Sequence, residues 1–342
     1  MYARVESFYD KNRVKLADAI PLNTPFSLNV EPTSACNLRC KYCGHSSEEF
    51  MKDFHHEAKT MEKELFLNLV LQTTEFPGKF KVVQLAGYGE PLLHPNIVEF
   101  VCALRQADIA ERVQILTNGT RLTHALSEGL VEAGLDRVLI SVNGLSDADY
   151  ECNTGRKIDF DDYLSNIKYL FSIRNQLKID LKIVDACLKD DQERERFFSI
   201  FGDFCDRISV ENTHILIHNT KSYGSLSDRE TALWKFDELK GTYPHICPLP
   251  FYGVSVRANG DISMCNCLGL QLTKEGLNIQ KVSLKDAWDG DWRKEVLLKI
   301  LREDYSGSTQ ICGKCIRKMA FGFPEDLLDA DRDRLIQRLS AL

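Results

Sequence analysis

Six strand-like segments alternate with helical ones between residues 26 and 217, and no other feature limits the fold so tightly. FSLNVEP (26–32) alternates apolar and polar residues. KVVQLAG (81–87), RVQILTNG (112–119), RVLISVNG (137–144), KIDLKIVDACL (178–188) and RISVENTHILI (207–217) follow it. Helical periodicity fills the gaps near 61–75, 95–107, 121–133, 161–175 and 190–205. Strands separated by helices pair in parallel, because a parallel neighbour is reached only through a long crossover. Six strands are too few to close an eight-stranded barrel. The expectation is an α/β fold, an open, partial (β/α)6 TIM-like barrel.

The pattern changes after about residue 220. YGVSVRANGDISMC (252–265) reads as a β-hairpin with Asn259-Gly260 in a tight primed turn. An amphipathic helix near 284–302, a loop with Cys312 and Cys315, and a helix from about 324 complete the chain. The expected organisation is an N-terminal helical segment (1–25), a core domain (26–220), a linker (221–246), a small α+β domain of hairpin plus helix (247–320) and a C-terminal helix (321–342). There are no internal repeats and no low-complexity segments.

A chain of 342 residues buries roughly three quarters of its unfolded surface and needs no cross-links to fold. Its twelve cysteines are therefore the anomaly. Residues 1–25 mix charges and lack the apolar core of a secretory signal. No apolar run approaches the roughly 18–20 residues of a membrane span. A cytoplasmic location is expected, where clustered thiols more often bind metal than form disulfides. The net charge of −7, without a basic tract interleaved with aromatics, argues against a nucleic-acid partner. No membrane partner is expected either.

Cys36-Asn-Leu-Arg-Cys40-Lys-Tyr-Cys43 directly follows the first strand. Three thiolates can hold three irons of a 4Fe–4S cluster and leave the fourth open, and open coordination sites are where metals do chemistry. Zinc is the alternative, with His45 completing a Cys₃His set. The carboxyl end of the first strand of a βα array is where such folds place active sites, which favours the catalytic reading.

The triplet resembles the signature of the radical S-adenosylmethionine (SAM) superfamily, in which SAM chelates the open iron. Four further stretches fit that resemblance. Gly87-Tyr-Gly89-Glu90-Pro91 is similar to the family's GGEP motif, which receives SAM's ammonium group, although Tyr88 stands where a small residue is usual. Tyr42 precedes the third cysteine, where the family places an aromatic near the adenine. Leu116-Thr117-Asn118-Gly119 and Ser141-Val142-Asn143-Gly144 end successive strands. The resemblance implies that Asn118, Ser141 and Asn143 contact the ribose and methionine parts of SAM.

The C-terminal stretch CPLPFYGVSVRANGDISMC, then VSLKDAW (282–288) and CGKC, resembles the SPASM/twitch extension of the same superfamily, in particular the aminocyclitol dehydrogenase subgroup. No cysteine follows Cys315. The resemblance then implies one auxiliary 4Fe–4S cluster held by Cys247, Cys265, Cys312 and Cys315, besides the SAM-binding cluster. A flavodoxin or ferredoxin-type reductant is implied as well.

Cys102 and Cys205 lie on apolar helix faces and read as packing. Cys267, two residues past a proposed ligand, and Cys187, near the end of the fifth strand, are candidates for the thiol that returns a hydrogen atom in radical epimerases. Asp185 is a candidate for the proton acceptor that a dehydrogenase needs. Lys182, His214, His218 and Arg156 are further polar residues at or after strand ends. The leading expectation is a radical SAM oxidoreductase that dehydrogenates a small polar hydroxyl-bearing substrate, of sugar or aminocyclitol type. Epimerisation and peptide or protein maturation are the alternatives. Only about 25 residues precede the core, fewer than the winged-helix leader-binding domain of many peptide maturases needs.

Overall fold

The computed structural model describes residues 1–7, 9–10, 12–46, 59–211, 244–265, 272–315 and 323–341. Among them nine strands form one sheet: β1 (Arg4–Val5), β2 (Ser27–Val30), β3 (Val82–Leu85), β4 (Val113–Thr117), β5 (Arg137–Val142), β6 (Lys178–Val184), β7 (Arg207–Glu211), β8 (Gly253–Val256) and β9 (Ile262–Ser263). Their spatial order is β1-β7-β6-β5-β4-β3-β2-β8-β9. Every neighbouring pair is parallel except β8 and β9, and the sheet does not close on itself. The six expected core strands lie side by side in chain order, as an open βα array requires.

Register divides the strand residues between two faces, because side chains alternate along each strand and paired residues share a side. One face is apolar: Leu28 pairs with Val83 and Val83 with Val113, and Ile115 pairs with Val138 and Val138 with Ile179. All six are essentially inaccessible. Each stabilises the fold by about 1.5–3 kcal/mol relative to an exposed side chain. The other face is polar. Asn29 pairs with Gln84 and with Ser255, Gln84 with Gln114, Ser141 with Lys182, and Lys182 with Ser209.

The crossover helices begin where side chains cap them. Thr123, Ser146, Asp159 and Asp190 each accept the amide three residues on, starting the helices His124–Glu132, Asp147–Thr154, Phe160–Ile173 and Asp191–Phe201. Asp147–Thr154 has no counterpart in the sequence periodicity. Its run DADYECNT is mostly polar, and the helix docks through the buried Tyr150 and Thr154.

The helical segment expected over 1–25 is reduced to one turn, Leu16–Ala19, which ends before Pro21. Ahead of it β1 pairs with β7, satisfying an edge that would otherwise stay open. Asp10 then reaches Arg112 at 2.6 Å and Arg137 at 3.5 Å, while Arg207 Nε donates to Asp180 at 3.1 Å. These charge pairs fill the polar face at the amino ends of β4, β5 and β7.

The single helix expected over 284–302 is two, Leu284–Asp289 and Asp291–Leu301, broken where Gly290 takes an extended conformation (ψ 151°). The hairpin turn also differs from a two-residue primed turn. Arg257 N donates to Asp261 O and Gly260 N to Arg257 O, a three-residue loop in which only Gly260 has positive φ (+86°). The hairpin does not form a separate layer either, since β8 continues the sheet beside β2. The C-terminal helix starts at Arg332, after two single 3₁₀ turns at Pro324–Asp326 and Asp329–Asp331. Among the described residues no helix is long and apolar enough to cross a membrane.

Candidate active site at the carboxyl end of the sheet

The loop after β2 carries Cys36, Cys40 and Cys43; Leu38 N reaches Cys36 Sγ at 3.5 Å, and the other contacts that shape the loop are made largely by its backbone groups. Arg39 Nη1 donates to the carbonyls of Cys36 and Leu38, both at 2.8 Å. The amides of Arg39 and Lys41 donate to Thr154 O and Asn153 O, each at 2.9 Å, so the capped helix Asp147–Thr154 anchors the loop. Cys43 N closes a turn on Cys40 O at 2.9 Å.

Burial pushes all three thiols above their ordinary pKa, and Cys40 is raised further by the charges of Cys43 and Cys36. Three thiols in one partly buried loop would repel one another as thiolates, so they need a cation among them to ionise, which a bound metal provides. His45, the fourth ligand of a zinc site, directs Nε2 to Ser34 O at 3.0 Å. Three thiols from one loop are the donor set of a 4Fe–4S cluster that leaves its fourth iron open.

The turn 87–91 packs directly on this loop, and its glycines are spaced for that contact. A Cβ on Gly89 would lie 2.1 Å from Thr33 O, and one on Gly87 would lie 2.4 Å from Glu31 Cγ. Gly89→Ala must push the backbone ahead of Cys36 aside. We expect it to cost about 1–3 kcal/mol, read as a lower urea midpoint at unchanged m-value.

Glu90 is almost completely buried. Its Oε1 accepts from Leu92 N at 2.9 Å and Thr117 Oγ1 at 2.5 Å, and its Oε2 accepts from Asn118 N at 2.7 Å. Burial raises its pKa, and those three donors work against the rise. A glutamine there must turn an amide N–H₂ towards one of the donors. Glu90→Gln is accordingly expected to destabilise the fold by about 1–3 kcal/mol and to weaken SAM binding, with the cluster's visible absorbance unchanged. Equilibrium SAM binding beside an unfolding curve checks both parts.

The ends of β4 and β5 reach back to the cysteine loop. Asn118 Nδ2 donates to Asn37 Oδ1 at 3.0 Å, and Asn37 Nδ2 donates to Thr120 at 2.7 Å. Asn143 Oδ1 accepts from the Tyr42 hydroxyl and lies 3.6 Å from Cys40 Sγ, while its Nδ2 donates to Ser141 O at 3.0 Å. Tyr42 is half-buried, and desolvation raises its pKa strongly. Cys187 is buried in the 3₁₀ turn after β6, close enough to Cys40 and Tyr42 that a thiolate there would raise the pKa of both. Burial pushes its thiol up to about 12, so it stays protonated at neutral pH. Asp185 is exposed and accepts the next amide, Ala186 N, at 2.8 Å.

The structure thus brings Tyr42, Glu90, Asn118, Ser141, Asn143 and Cys187 to the loop of Cys36, Cys40 and Cys43, and leaves Asp185 at its rim. In the C-terminal part, Cys247 and Cys312 both act on the Tyr305 hydroxyl, and Cys315 N donates to Cys312 O at 3.3 Å. Cys265 follows β9, its carbonyl held by Ser255 Oγ at 2.8 Å. Cys267, His214 and His218 lie outside the described residues. The sequence reading missed Asn37, Glu31 and Arg257. Asn37 sits inside the cysteine motif, and the only local sign of Glu31 is its place as a lone acid at a strand end.

The family described as the radical SAM superfamily matches residues 30–178. Among curated relatives, the tungsten-containing aldehyde ferredoxin oxidoreductase cofactor-modifying protein of Pyrococcus furiosus is 35% identical over 121 residues, covering 35% of this chain and 32% of that protein. The chain therefore spans about a third of that relative's length. The GTP 3',8-cyclase of Clostridium perfringens is 29% identical over 303 residues, 81% of this chain and 88% of the cyclase. Among solved structures, BtrN in complex with AdoMet and 2-DOIA aligns with a TM-score of 0.52 at 20% identity, covering 85% of this chain and 92% of BtrN. Streptococcus suis SuiB bound to S-adenosylmethionine aligns with a TM-score of 0.61 at 18% identity, covering 89% of this chain and 74% of SuiB. At such identities the two structures speak to the fold.

Proposed function

We propose, for a chain that belongs to the radical SAM superfamily, that it dehydrogenates a small polar hydroxyl-bearing substrate of sugar or aminocyclitol type. When bound, a 4Fe–4S cluster with SAM supplies a hydrogen-abstracting 5′-deoxyadenosyl radical, and an auxiliary cluster supplies an electron sink. Cys36, Cys40 and Cys43 hold the first cluster, and Cys247, Cys265, Cys312 and Cys315 the second. Tyr42, Gly87, Gly89, Glu90, Asn118, Ser141 and Asn143 form the SAM pocket. A flavodoxin or ferredoxin-type protein is the reductant.

The observation that carries the substrate class is the polar face of the sheet. Asn29, Gln114, Ser209, Glu211 and Ser255 are all buried on it, and the carboxyl end of that face opens on the cysteine loop. These groups are paired within the chain, Gln114 with Gln84, Ser209 with Glu211 and Ser255 with the Cys265 carbonyl, and the polar interior they make beneath the cysteine loop suits a hydroxyl-bearing ligand better than an apolar one. Asp185 at the rim takes the proton as the hydroxyl carbon becomes a carbonyl. Incubation of the reconstituted protein with SAM, dithionite and a panel of cyclitols and sugars should give a product two hydrogens lighter. A panel in which no member loses mass, while a peptide substrate does change, would overturn the reading.

Cys187 favours epimerisation as a second reading. A protonated thiol buried at the cysteine loop is the form that hands back a hydrogen atom. Cys267 is the other candidate donor. Epimerisation predicts unchanged mass and solvent deuterium at the inverted carbon, because a thiol exchanges with water. Cys187→Ala and Cys267→Ala then identify the donor by which one abolishes deuterium incorporation.

A further inference from the structure

We infer that Glu31 is a positioning residue that locks the turn 87–91 to the hairpin β8–β9, so that the SAM pocket and the auxiliary site are set by one buried carboxylate. The inference rests on the proposed SAM and cluster sites and goes beyond them, since it concerns how the two are held in register.

Glu31 is the first residue after β2, five positions before Cys36, and is 1% exposed. Its Oε1 accepts the amide of Tyr88, inside the glycine turn, at 3.0 Å. Its Oε2 faces the hairpin instead, lying 3.6 Å from Arg257 Nε and accepting Ala258 N at 3.4 Å. The backbone repeats the connection, because Glu31 N donates to Val256 O at 2.9 Å. Gly87 leaves room for the side chain, as a Cβ there would strike Glu31 Cγ at 2.4 Å. Arg257 is itself buried, and among the described residues Glu31 is the carboxylate at ion-pair distance from it. The same hairpin runs through β9 to Cys265.

One carboxylate thus has an oxygen on each side of the boundary between the two proposed cofactor sites. A buried charge pair tolerates neither loss of one partner nor a shift of register, because the remaining charge is left uncompensated in a low-dielectric interior. Any displacement of the hairpin must therefore be felt at the Tyr88 amide. Shape alone would not require an ionised pair here; an apolar contact would fill the same space.

The test uses the anaerobically reconstituted full chain. Glu31→Gln keeps the size of the side chain and the acceptor for Tyr88 but removes the charge facing Arg257. Arg257→Gln removes the other half from the hairpin side, at a residue outside the 87–91 turn. Both single variants are expected to raise the SAM dissociation constant about tenfold or more, and to shift the electron paramagnetic resonance signal of the reduced auxiliary cluster. The double variant should be no worse than either single one, since the pair acts as a unit. Arg257→Lys keeps the charge and should restore most of the SAM affinity. Should the glutamine variants be less stable to urea yet bind SAM and display the auxiliary signal as the wild type does, Glu31 is structural only and the inference fails. Additive losses in the double variant would also defeat it. Failure of the underlying reading looks different: the wild type itself would then bind no SAM or hold a single cluster.

Discussion

Replacing Cys36, Cys40 and Cys43 together with alanine is expected to lower the iron content of reconstituted protein from about eight to about four per chain, and to abolish SAM cleavage. The expectation depends on the loop surviving the loss of its thiols, and its hydrogen bonds say that it does. Arg39 holds the Cys36 and Leu38 carbonyls through its side chain, and the amides of Arg39 and Lys41 are tied to the end of the helix Asp147–Thr154. None of these contacts uses sulfur. The variant should therefore fold, keep its secondary structure by circular dichroism and retain the C-terminal cluster. A wild-type protein that purifies anaerobically with zinc and no iron would end the radical reading altogether.

Much of this site is written locally, and that is why the sequence shows it. The six core strands alternate in hydrophobicity and end in turns with their own signals, so their order and parallel pairing follow from the crossovers between them. The cysteine loop is a contiguous motif. What sequence does not show is non-local. Nothing in YGVSVRANGDISMC says that its first arm will pair with a strand more than two hundred residues earlier, Ser27 beside Gly253, rather than form a domain of its own. Glu31 and Arg257 follow from that pairing and are equally silent. The break at Gly290 is missed because the apolar period continues across it, although glycine's poor helix propensity is a visible hint. Asp147–Thr154 fails the period test through its polarity, yet Ser146 with Asp149 three residues on is a legible N-terminal signal: Asp149 N donates to Ser146 Oγ at 3.2 Å and Asp149 Oδ2 accepts from that hydroxyl at 2.7 Å. The amides of Asn118 and Asn143 point to the cysteine loop for the same non-local reason, since only the parallel register sets the ends of β4 and β5 beside it.

The second large effect separates oxidation from the redox-neutral alternative. In the variant carrying both Cys312→Ala and Cys315→Ala, about four irons should remain and SAM should still be cleaved, because the thiols of Cys36, Cys40 and Cys43 are left in place. Formation of the oxidised product should nevertheless fall about a hundredfold or more, equivalent to ~2.7 kcal/mol. Dehydrogenation removes two electrons from the substrate, and hydrogen abstraction accounts for only one. The second needs an acceptor within the protein, and four thiolates at Cys247, Cys265, Cys312 and Cys315 would saturate a cluster and suit it to electron transfer rather than to binding substrate. Epimerisation returns the hydrogen from a thiol and needs no such exit, so an epimerase would keep most of its turnover in this variant. Thiol loss could also loosen the extension, and Tyr305 controls for that. Its hydroxyl donates to His245 O at 3.2 Å, and burial, with Glu303, Cys247 and Cys312 nearby, raises its pKa to about 12. Tyr305→Phe removes this tether without touching a thiol. If Tyr305→Phe lowers product formation as far as the double cysteine variant does, the loss comes from a displaced domain and the electron-exit argument is wrong; if it stays near wild type while the cysteine variant cleaves SAM without product, the exit runs through the four-cysteine site.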